Sequence, residues 1–131
     1  MAKSAARIEL TFGAERDLAG IWLRRLSQRG TEGDDGADAL LGDLVADIES
    51  LADNPQKGPV PPELEALGIT DFRQLSRSPF RIIYRYQHNP APGCVTVFVI
   101  ADARRDFRTL LEERLLGSGQ EQGSLKGPLP E

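Results

Sequence analysis

The sequence predicts an α+β domain of two layers, in which an N-terminal strand, an α-helical hairpin, a three-stranded antiparallel meander and a short C-terminal helix follow one another. Three observations support this order. Apolar residues recur at helical spacing over residues 14–29 and 38–53. Residues 72–100 contain runs rich in β-branched and aromatic side chains. Neither predicted helix has enough apolar surface to be stable alone, so both must pack on the sheet.

The N-terminal half is expected to contain one strand and two helices. Arg7–Phe12 alternates apolar and polar residues, as a half-buried strand does. The helix at 14–29 carries acidic residues near its start and arginines near its end, which the helix dipole favours. A polar turn at 30–36 leads to the second helix at 38–53, and a proline-rich link at 58–62 follows. The two helices therefore form a hairpin.

The C-terminal half is expected to contain the meander and the last helix. Strands are predicted at Phe72–Leu75, Phe80–Tyr86 and Val95–Ile100, and a cluster of prolines and glycine at 89–93 joins the last two. Short connections of this kind join antiparallel neighbours. A final helix is predicted at 106–116, where leucines recur at helical spacing.

The chain is predicted to form a single domain over residues 1–116, followed by a disordered tail at 117–131. Its 131 residues, 40% hydrophobic and 27% charged, fit one globular core. The tail is rich in Gly, Ser, Pro and Gln and has no periodicity. No apolar run approaches the ~20 residues of a membrane span, and the N-terminus lacks the apolar core of a secretory signal. Together with the lone Cys94, these features predict a cytoplasmic protein.

Charge is distributed unevenly along the chain, whose formal net charge is −4. Residues 72–116 contain eight arginines and four acidic residues, so this segment carries +4 and the remainder carries −8. Strand alternation places Arg81 and Arg85 on the same face of the sheet. A basic face on an acidic protein predicts a defined anionic partner. The sequence contains no metal-binding spacing and no nucleotide-binding motif, so no cofactor is expected.

Three segments carry a resemblance to a known family. They read PPELEALGITDFRQL, SPFRIIYRY and VFVIADARRDFRTLLEERLL. With the predicted order of elements, they resemble the RelE/ParE superfamily of toxins from type II toxin–antitoxin pairs, over about residues 6–116. The resemblance implies a growth-inhibiting toxin, associated with plasmid maintenance, that a cognate antitoxin neutralises in a toxin–antitoxin hetero-oligomer.

The superfamily has two branches with different activities. RelE-like members cut messenger RNA on the ribosome without a metal, whereas ParE-like members inhibit DNA gyrase and are not known to be nucleases. For a ribonuclease, the resemblance assigns the phosphate contacts to four arginines: Arg73, Arg77, Arg81 and Arg105. Leu110 and Leu111 stand where that branch has an aromatic residue or a histidine, and arginine stays protonated and cannot act as a base. The sequence therefore favours the ParE-like branch, a gyrase inhibitor that is not an enzyme.

The predicted binding residues follow from this interpretation. Target binding is predicted for Arg81, Arg85, Arg104, Arg105 and Arg108. The resemblance implies that an antitoxin helix binds a groove between the hairpin helices, lined by Leu18, Trp22, Leu26, Leu41, Val45 and Ile48. Other interpretations stay open, since the arginines can be solvated or paired with acids and the hairpin stripe can be used up by the sheet. Besides the gyrase inhibitor, two functional hypotheses remain: a ribosome-dependent mRNA endoribonuclease, and a non-toxic co-repressor that only binds an antitoxin.

Overall fold

A computed structural model describes residues 5–116 of the chain. The strands within this range are β1 (Arg7–Leu10), β2 (Phe72–Arg77), β3 (Phe80–Gln87) and β4 (Cys94–Asp102). The helices are α1 (Phe12–Arg29), α2 (Ala37–Glu49), α3 (Pro62–Glu65) and α4 (Phe107–Leu111). A 3-10 turn at Ser50–Ala52 extends α2, and a π-helical turn at Glu112–Leu116 extends α4. The tail predicted at 117–131 lies outside the described residues. Among the helices of residues 5–116, none is long and apolar enough to cross a membrane.

The four strands form one sheet in the order β1-β4-β3-β2. Strands β2, β3 and β4 are antiparallel neighbours, which confirms the predicted meander. Strand β1 pairs with β4 in parallel, with Arg7–Leu10 opposite Cys94–Val97. Because β1 is shorter than β4, the second half of β4 pairs with β3 on one side but has no strand on the side of β1. Asp17 of α1 instead accepts a hydrogen bond from the Ile100 amide on that edge.

Helix α1 begins almost directly where β1 ends. The predicted strand extended to Phe12, but Thr11 ends it instead. Thr11 has an extended backbone, and its side chain accepts a hydrogen bond of 3.0 Å from the Ala14 amide, so it is the N-cap of α1. Phe12 is therefore the first residue of the helix rather than the last residue of the strand.

One face of the sheet, which we call the hairpin face, packs against α1 and α2. The sheet contributes side chains such as Ile82 and Tyr84, and the helices contribute Ile21, Leu44 and Ile48, all of them buried. Each helix thus buries one apolar stripe, as the helical spacing predicted. The hairpin and the sheet are the two predicted layers.

The opposite face, which we call the C-terminal face, packs against α3, α4 and the π-helical turn. Ile83 and Phe98 of the sheet contact Leu64 of α3 and Phe107 and Leu111 of α4 in a second buried cluster. The α+β class and the predicted order of elements are confirmed, and the short helices cover part of this second face.

The proline-rich link between α2 and α3 runs along the outer edge of β2. The Gln74 amide donates a hydrogen bond of 2.8 Å to the Pro59 carbonyl, and Arg73 Nη1 donates one of 2.7 Å to the Gly58 carbonyl. The Gly58 amide donates to the Tyr84 hydroxyl at 3.1 Å. A Cβ atom at Gly58 would overlap the Gln74 carbonyl oxygen, so the contact between link and strand requires glycine there.

Candidate functional site

A cleft of about 650 Å³, which we call the edge cleft, lies where β4 continues beyond the end of β1. Helix α1 lines one wall with Arg16, Asp17, Gly20 and Arg24. The end of β4 and the loop after it line the other wall with Ile100–Asp102, Arg104 and Arg105. The cleft therefore joins the beginning of the chain to the segment just before α4.

Helical geometry aligns the α1 wall of the edge cleft. Arg16, Gly20 and Arg24 are four residues apart, so they lie on the same face of the helix. Gly20 has no side chain, and Arg24 Nη1 lies within 3.6 Å of the position that a Cβ atom at Gly20 would occupy.

The two aspartates of the edge cleft are already paired with arginines. Asp17 Oδ2 accepts from Arg114 Nη2 at 3.0 Å and from the Ile100 amide at 2.9 Å, and both side chains of this ion pair are mostly buried. Asp102 binds Arg104 through both carboxylate oxygens, at 2.9 and 2.8 Å. The Asp17 pair links α1 to β4 and the π-helical turn, so it fixes one wall of the cleft in place.

Three arginines of the edge cleft remain uncompensated. Arg24 and Arg105 are exposed and make no ion pair with any residue of the described range 5–116. Arg16 is also exposed, and its guanidinium lies 5.7 Å from the centroid of the Phe12 ring. The edge cleft therefore presents a net positive charge to solvent.

Asp102 is unsuited to accept a proton near neutral pH. The hydrogen bonds from the Arg104 side chain, followed by that from the Arg104 amide, lower the pKa of Asp102 from 3.8 to about 2. The positive charge of Arg24 makes a smaller contribution to this lowering of the pKa. A carboxylate with so low a pKa is a weak base, because efficient general bases have pKa values near the working pH.

Arg81 and Arg85 lie together on the C-terminal face, as strand alternation predicted. Arg81 is mostly buried and donates from Nη1 and Nη2 to the Glu63 carboxylate at 2.9 and 2.8 Å. Its Nε donates to Gln74 Oε1 at 2.9 Å, and its guanidinium lies 4.0 Å from the centroid of the Phe107 ring. The hydrogen bond from Arg81 lowers the pKa of Glu63. Arg81 thus joins α3, β2 and α4 through these contacts.

Arg85 is half-buried beside two aromatic rings. Its guanidinium carbon lies 5.9 Å from the Phe72 centroid and 5.1 Å from the Phe98 centroid. Its Nε is buried without a hydrogen-bond partner among residues 5–116. This arginine lies apart from the residues that line the edge cleft.

The remaining predicted arginines lie on other surfaces. Arg73 and Arg77 are opposite Tyr84 and Phe80, which places both on the hairpin side of the sheet. Arg77 Nη2 donates to Asp47 Oδ1 of α2 at 3.0 Å. The four arginines predicted for a ribonuclease therefore lie on different surfaces of the described part of the chain.

Of the arginines predicted to bind a target, only Arg104 and Arg105 lie in the edge cleft. Arg108 is exposed on α4, where its Nε lies 3.8 Å from the Glu112 carboxylate. Within the described part of the chain, no three His, Cys, Asp or Glu side chains are grouped as a metal site.

The family described as the ParE toxin of the type II toxin-antitoxin system, parDE, matches residues 8–107. This match covers well over half of the chain. The chain belongs to the ParE toxin family. The superfamily assigned from the sequence is thus confirmed, and the protein is a toxin of a toxin–antitoxin system.

Solved structures share the fold of this ParE-family toxin. A chain of the chromosomal ParDE toxin–antitoxin system from P. aeruginosa is 19% identical, with a TM-score of 0.56, over 75% of this chain and 96% of that one. A chain of the RelBE2 toxin–antitoxin complex from Mycobacterium tuberculosis is 17% identical, with a TM-score of 0.52, over 77% of this chain and 94% of that one. No curated protein matches the sequence.

The hairpin residues predicted to bind an antitoxin differ in exposure. Ile48 is buried in the core, and Leu18 packs against the same cluster. Trp22, which donates from Nε1 to Asp38 at 3.0 Å, is half-buried. The other three residues of the predicted groove are half-buried as well: Leu26, Leu41 and Val45. The ParE-family toxin therefore uses part of the predicted groove to hold its own hairpin on the sheet.

Sequence reasoning did not identify Arg16 and Arg24, which the structure places in the edge cleft. It attributed the arginines near the end of α1 to the helix dipole and assigned no role to Arg16. The available signal was the spacing of Arg16, Gly20 and Arg24, which puts two cations and a gap on one helix face. The missing information was that this face lies opposite Arg104 and Arg105.

Proposed function

We propose that this ParE-family toxin acts in the cytoplasm by inhibiting DNA gyrase without cutting nucleic acid, and that a cognate antitoxin neutralises it. The observation that carries the proposal is the composition of the edge cleft. Arg24 and Arg105 are uncompensated, while Asp102 is held as an anion with a pKa of about 2. Such a surface can hold an anionic target, but Asp102 does not supply a base for bond cleavage.

The arrangement of the other arginines supports the same choice. A ribonuclease needs its cations around one phosphate, yet Arg73 and Arg77 lie on the opposite side of the sheet from Arg81. Arg81 is also bound to Glu63. The ribonuclease hypothesis would therefore require large side-chain rearrangements before a phosphate could be held.

For the antitoxin, we propose the half-buried part of the hairpin. Trp22, Leu26, Leu41 and Val45 each leave some apolar surface uncovered. An amphipathic helix can cover such a surface with its own apolar face. The two solved structures with this fold come from toxin–antitoxin systems, which supports a partner of that kind.

The test is a gyrase supercoiling assay with the purified chain, in which cleaved DNA complexes are also measured. We expect the wild type to inhibit supercoiling and the Arg24→Gln/Arg105→Gln variant to be about 10- to 100-fold weaker, because two charge-assisted contacts are lost. A matched control is Arg7→Gln/Arg29→Gln, which removes two exposed arginines outside the edge cleft. The control should retain wild-type potency.

Three results would contradict the proposal. Gyrase activity that is unchanged by the wild-type chain would exclude gyrase as its target. Cutting of messages on programmed ribosomes would favour the RelE-like hypothesis. A chain that does not slow bacterial growth, but still binds the protein encoded beside it, would favour the non-toxic co-repressor.

A further inference from the structure

Helix α1 carries an exposed apolar stripe that the fold does not use. The described residues include three large apolar side chains with high exposure: Phe12 at 56%, Leu23 at 57% and Leu67 at 47%. Two of them lie on α1. The 3.6-residue repeat places Phe12, Arg16, Ala19 and Leu23 within about 60° around the helix axis. We call these four residues the outer stripe, and all four are exposed.

The outer stripe is continuous with the edge cleft. Arg16 belongs to both, and Arg24 of the cleft follows Leu23 directly. A second depression, of about 340 Å³, lies between Phe12 and Arg16 on one side and Arg114 on the other. Along α1 the surface therefore runs from an apolar side chain through cations to another apolar side chain.

This order of side chains distinguishes between two kinds of anionic partner. Phosphates of a nucleic acid are bound by arginine, lysine and polar groups, and aliphatic side chains add little to those contacts. An acidic protein segment supplies both carboxylates for the arginines and apolar side chains for Phe12 and Leu23. Exposed apolar residues beside unpaired arginines are also typical of protein interfaces, where aromatic residues and arginine are enriched.

We infer that the outer stripe and the edge cleft together form a docking surface for an acidic protein segment of the target, and that this segment carries two apolar side chains about 16 Å apart with carboxylates between them. The spacing follows from the eleven residue steps between Phe12 and Leu23 at about 1.5 Å each. The inference rests on the proposed function, because it specifies which part of the target the toxin contacts.

The experiment compares Phe12→Gln/Leu23→Gln with Leu67→Gln. Glutamine removes the apolar surface and is compatible with a helix, so the folds should persist, and thermal melts would verify this. Leu67 provides the matched control, because it is a similarly exposed leucine outside the outer stripe. Growth arrest in bacteria, binding to purified gyrase and binding to a short DNA duplex are measured for each chain.

We expect Phe12→Gln/Leu23→Gln to bind gyrase about 10- to 100-fold more weakly and to arrest growth less, because interface anchors of this kind carry much of the binding free energy. Leu67→Gln should match the wild type in all three measurements. Duplex binding should be weak and unaffected by the loss of Phe12 and Leu23.

The outcomes separate this inference from the proposed function. If the wild type arrests growth without binding gyrase, the gyrase proposal fails, and the inference stands only if Phe12→Gln/Leu23→Gln relieves the arrest. If that folded variant still arrests growth as fully as the wild type, the inference is wrong. Tight duplex binding that depends on Arg24 and Arg105 but not on Phe12 would overturn it in favour of a nucleic-acid partner. Absence of growth arrest by the wild type would overturn both proposals.

Discussion

The ion pair between Arg81 and Glu63 can be used to test whether Arg81 stabilises the fold or binds a target. We consider Glu63→Leu, Arg81→Met and the double variant. Glu63→Leu removes both carboxylate bonds, at 2.9 and 2.8 Å, from a guanidinium that is only 13% exposed. Breaking a fully buried pair costs about 3–5 kcal/mol. Because Glu63 is 27% exposed and water reaches the pair, we expect about 2–3 kcal/mol of lost stability here.

The reverse substitution should cost less. Arg81→Met leaves Glu63 able to turn towards water or take up a proton, and methionine keeps a contact with the Phe107 ring. We expect a loss of about 1–2 kcal/mol for this variant. In the double variant neither charged group is left without its partner. Replacing an ion pair with apolar residues is often nearly neutral, so we expect the free energy of unfolding to fall by about 1 kcal/mol.

The assay is urea unfolding of all four chains at neutral pH, analysed as a double-mutant cycle. The expected interaction energy between positions 63 and 81 is about 2–4 kcal/mol. Arg108 and Glu112 provide the control pair, since they are 3.8 Å apart and mostly exposed, and their interaction energy should stay below about 0.5 kcal/mol. An interaction energy at positions 63 and 81 no larger than that of the control would refute the reasoning.

The same variants discriminate between functions. If Arg81 acts only by holding the C-terminal face together, any loss of growth inhibition in Arg81→Met should be restored when Glu63→Leu is added. A ribonuclease that used Arg81 to hold phosphate would stay inactive in the double variant, however stable it was.

Three further predictions concern stability. The pKa of Glu63 is lowered from 4.5 in the folded protein, so its carboxylate stabilises the fold above pH 4.5. This stabilisation is lost as the pH falls towards the lower pKa of the folded state. In urea unfolding, the wild type should therefore lose more stability than Glu63→Leu between about pH 7 and about pH 3. Gly20→Ala should raise the unfolding free energy by about 0.5–1 kcal/mol, because the added methyl meets only Arg24 Nη1, at 3.6 Å. Gly58→Ala should lower the thermal midpoint and cost about 1–3 kcal/mol, because its methyl would overlap the Gln74 carbonyl oxygen.

The sequence was sufficient for the elements whose pattern is local. Helical spacing identified both hairpin helices, and alternation placed Arg81 and Ile83 on one face of β3, as found. The end of β1 was missed because the Thr11 side chain, which caps α1, interrupts an alternation that otherwise continues to Phe12. The parallel pairing of β1 with β4 joins segments more than eighty residues apart, and no local pattern specifies such a pairing.

The site was less predictable because it depends on which charges meet. Arg104 and Arg105 were found because they stand together after a strand. Arg16 and Arg24 were not found, since their relevance depends on α1 lying beside the half of β4 that does not pair with β1. The partner of Arg81 could not be inferred either, because Glu63 lies eighteen residues away on another element.

The opposite net charges of the two parts of the sequence have a structural explanation. Arginines of the basic segment reach acidic residues of the N-terminal part across the fold: Arg77 binds Asp47, Arg81 binds Glu63 and Arg114 binds Asp17. These pairs use up much of the basicity that the sequence concentrates on the meander, so the sheet does not present a broad cationic surface. At the boundary between the two parts, in the edge cleft, Arg16, Arg24 and Arg105 make no ion pair with any residue of the range 5–116. A mechanism of target binding should therefore be sought first in Arg16, Arg24 and Arg105, rather than in the arginine-rich strands that dominate the sequence.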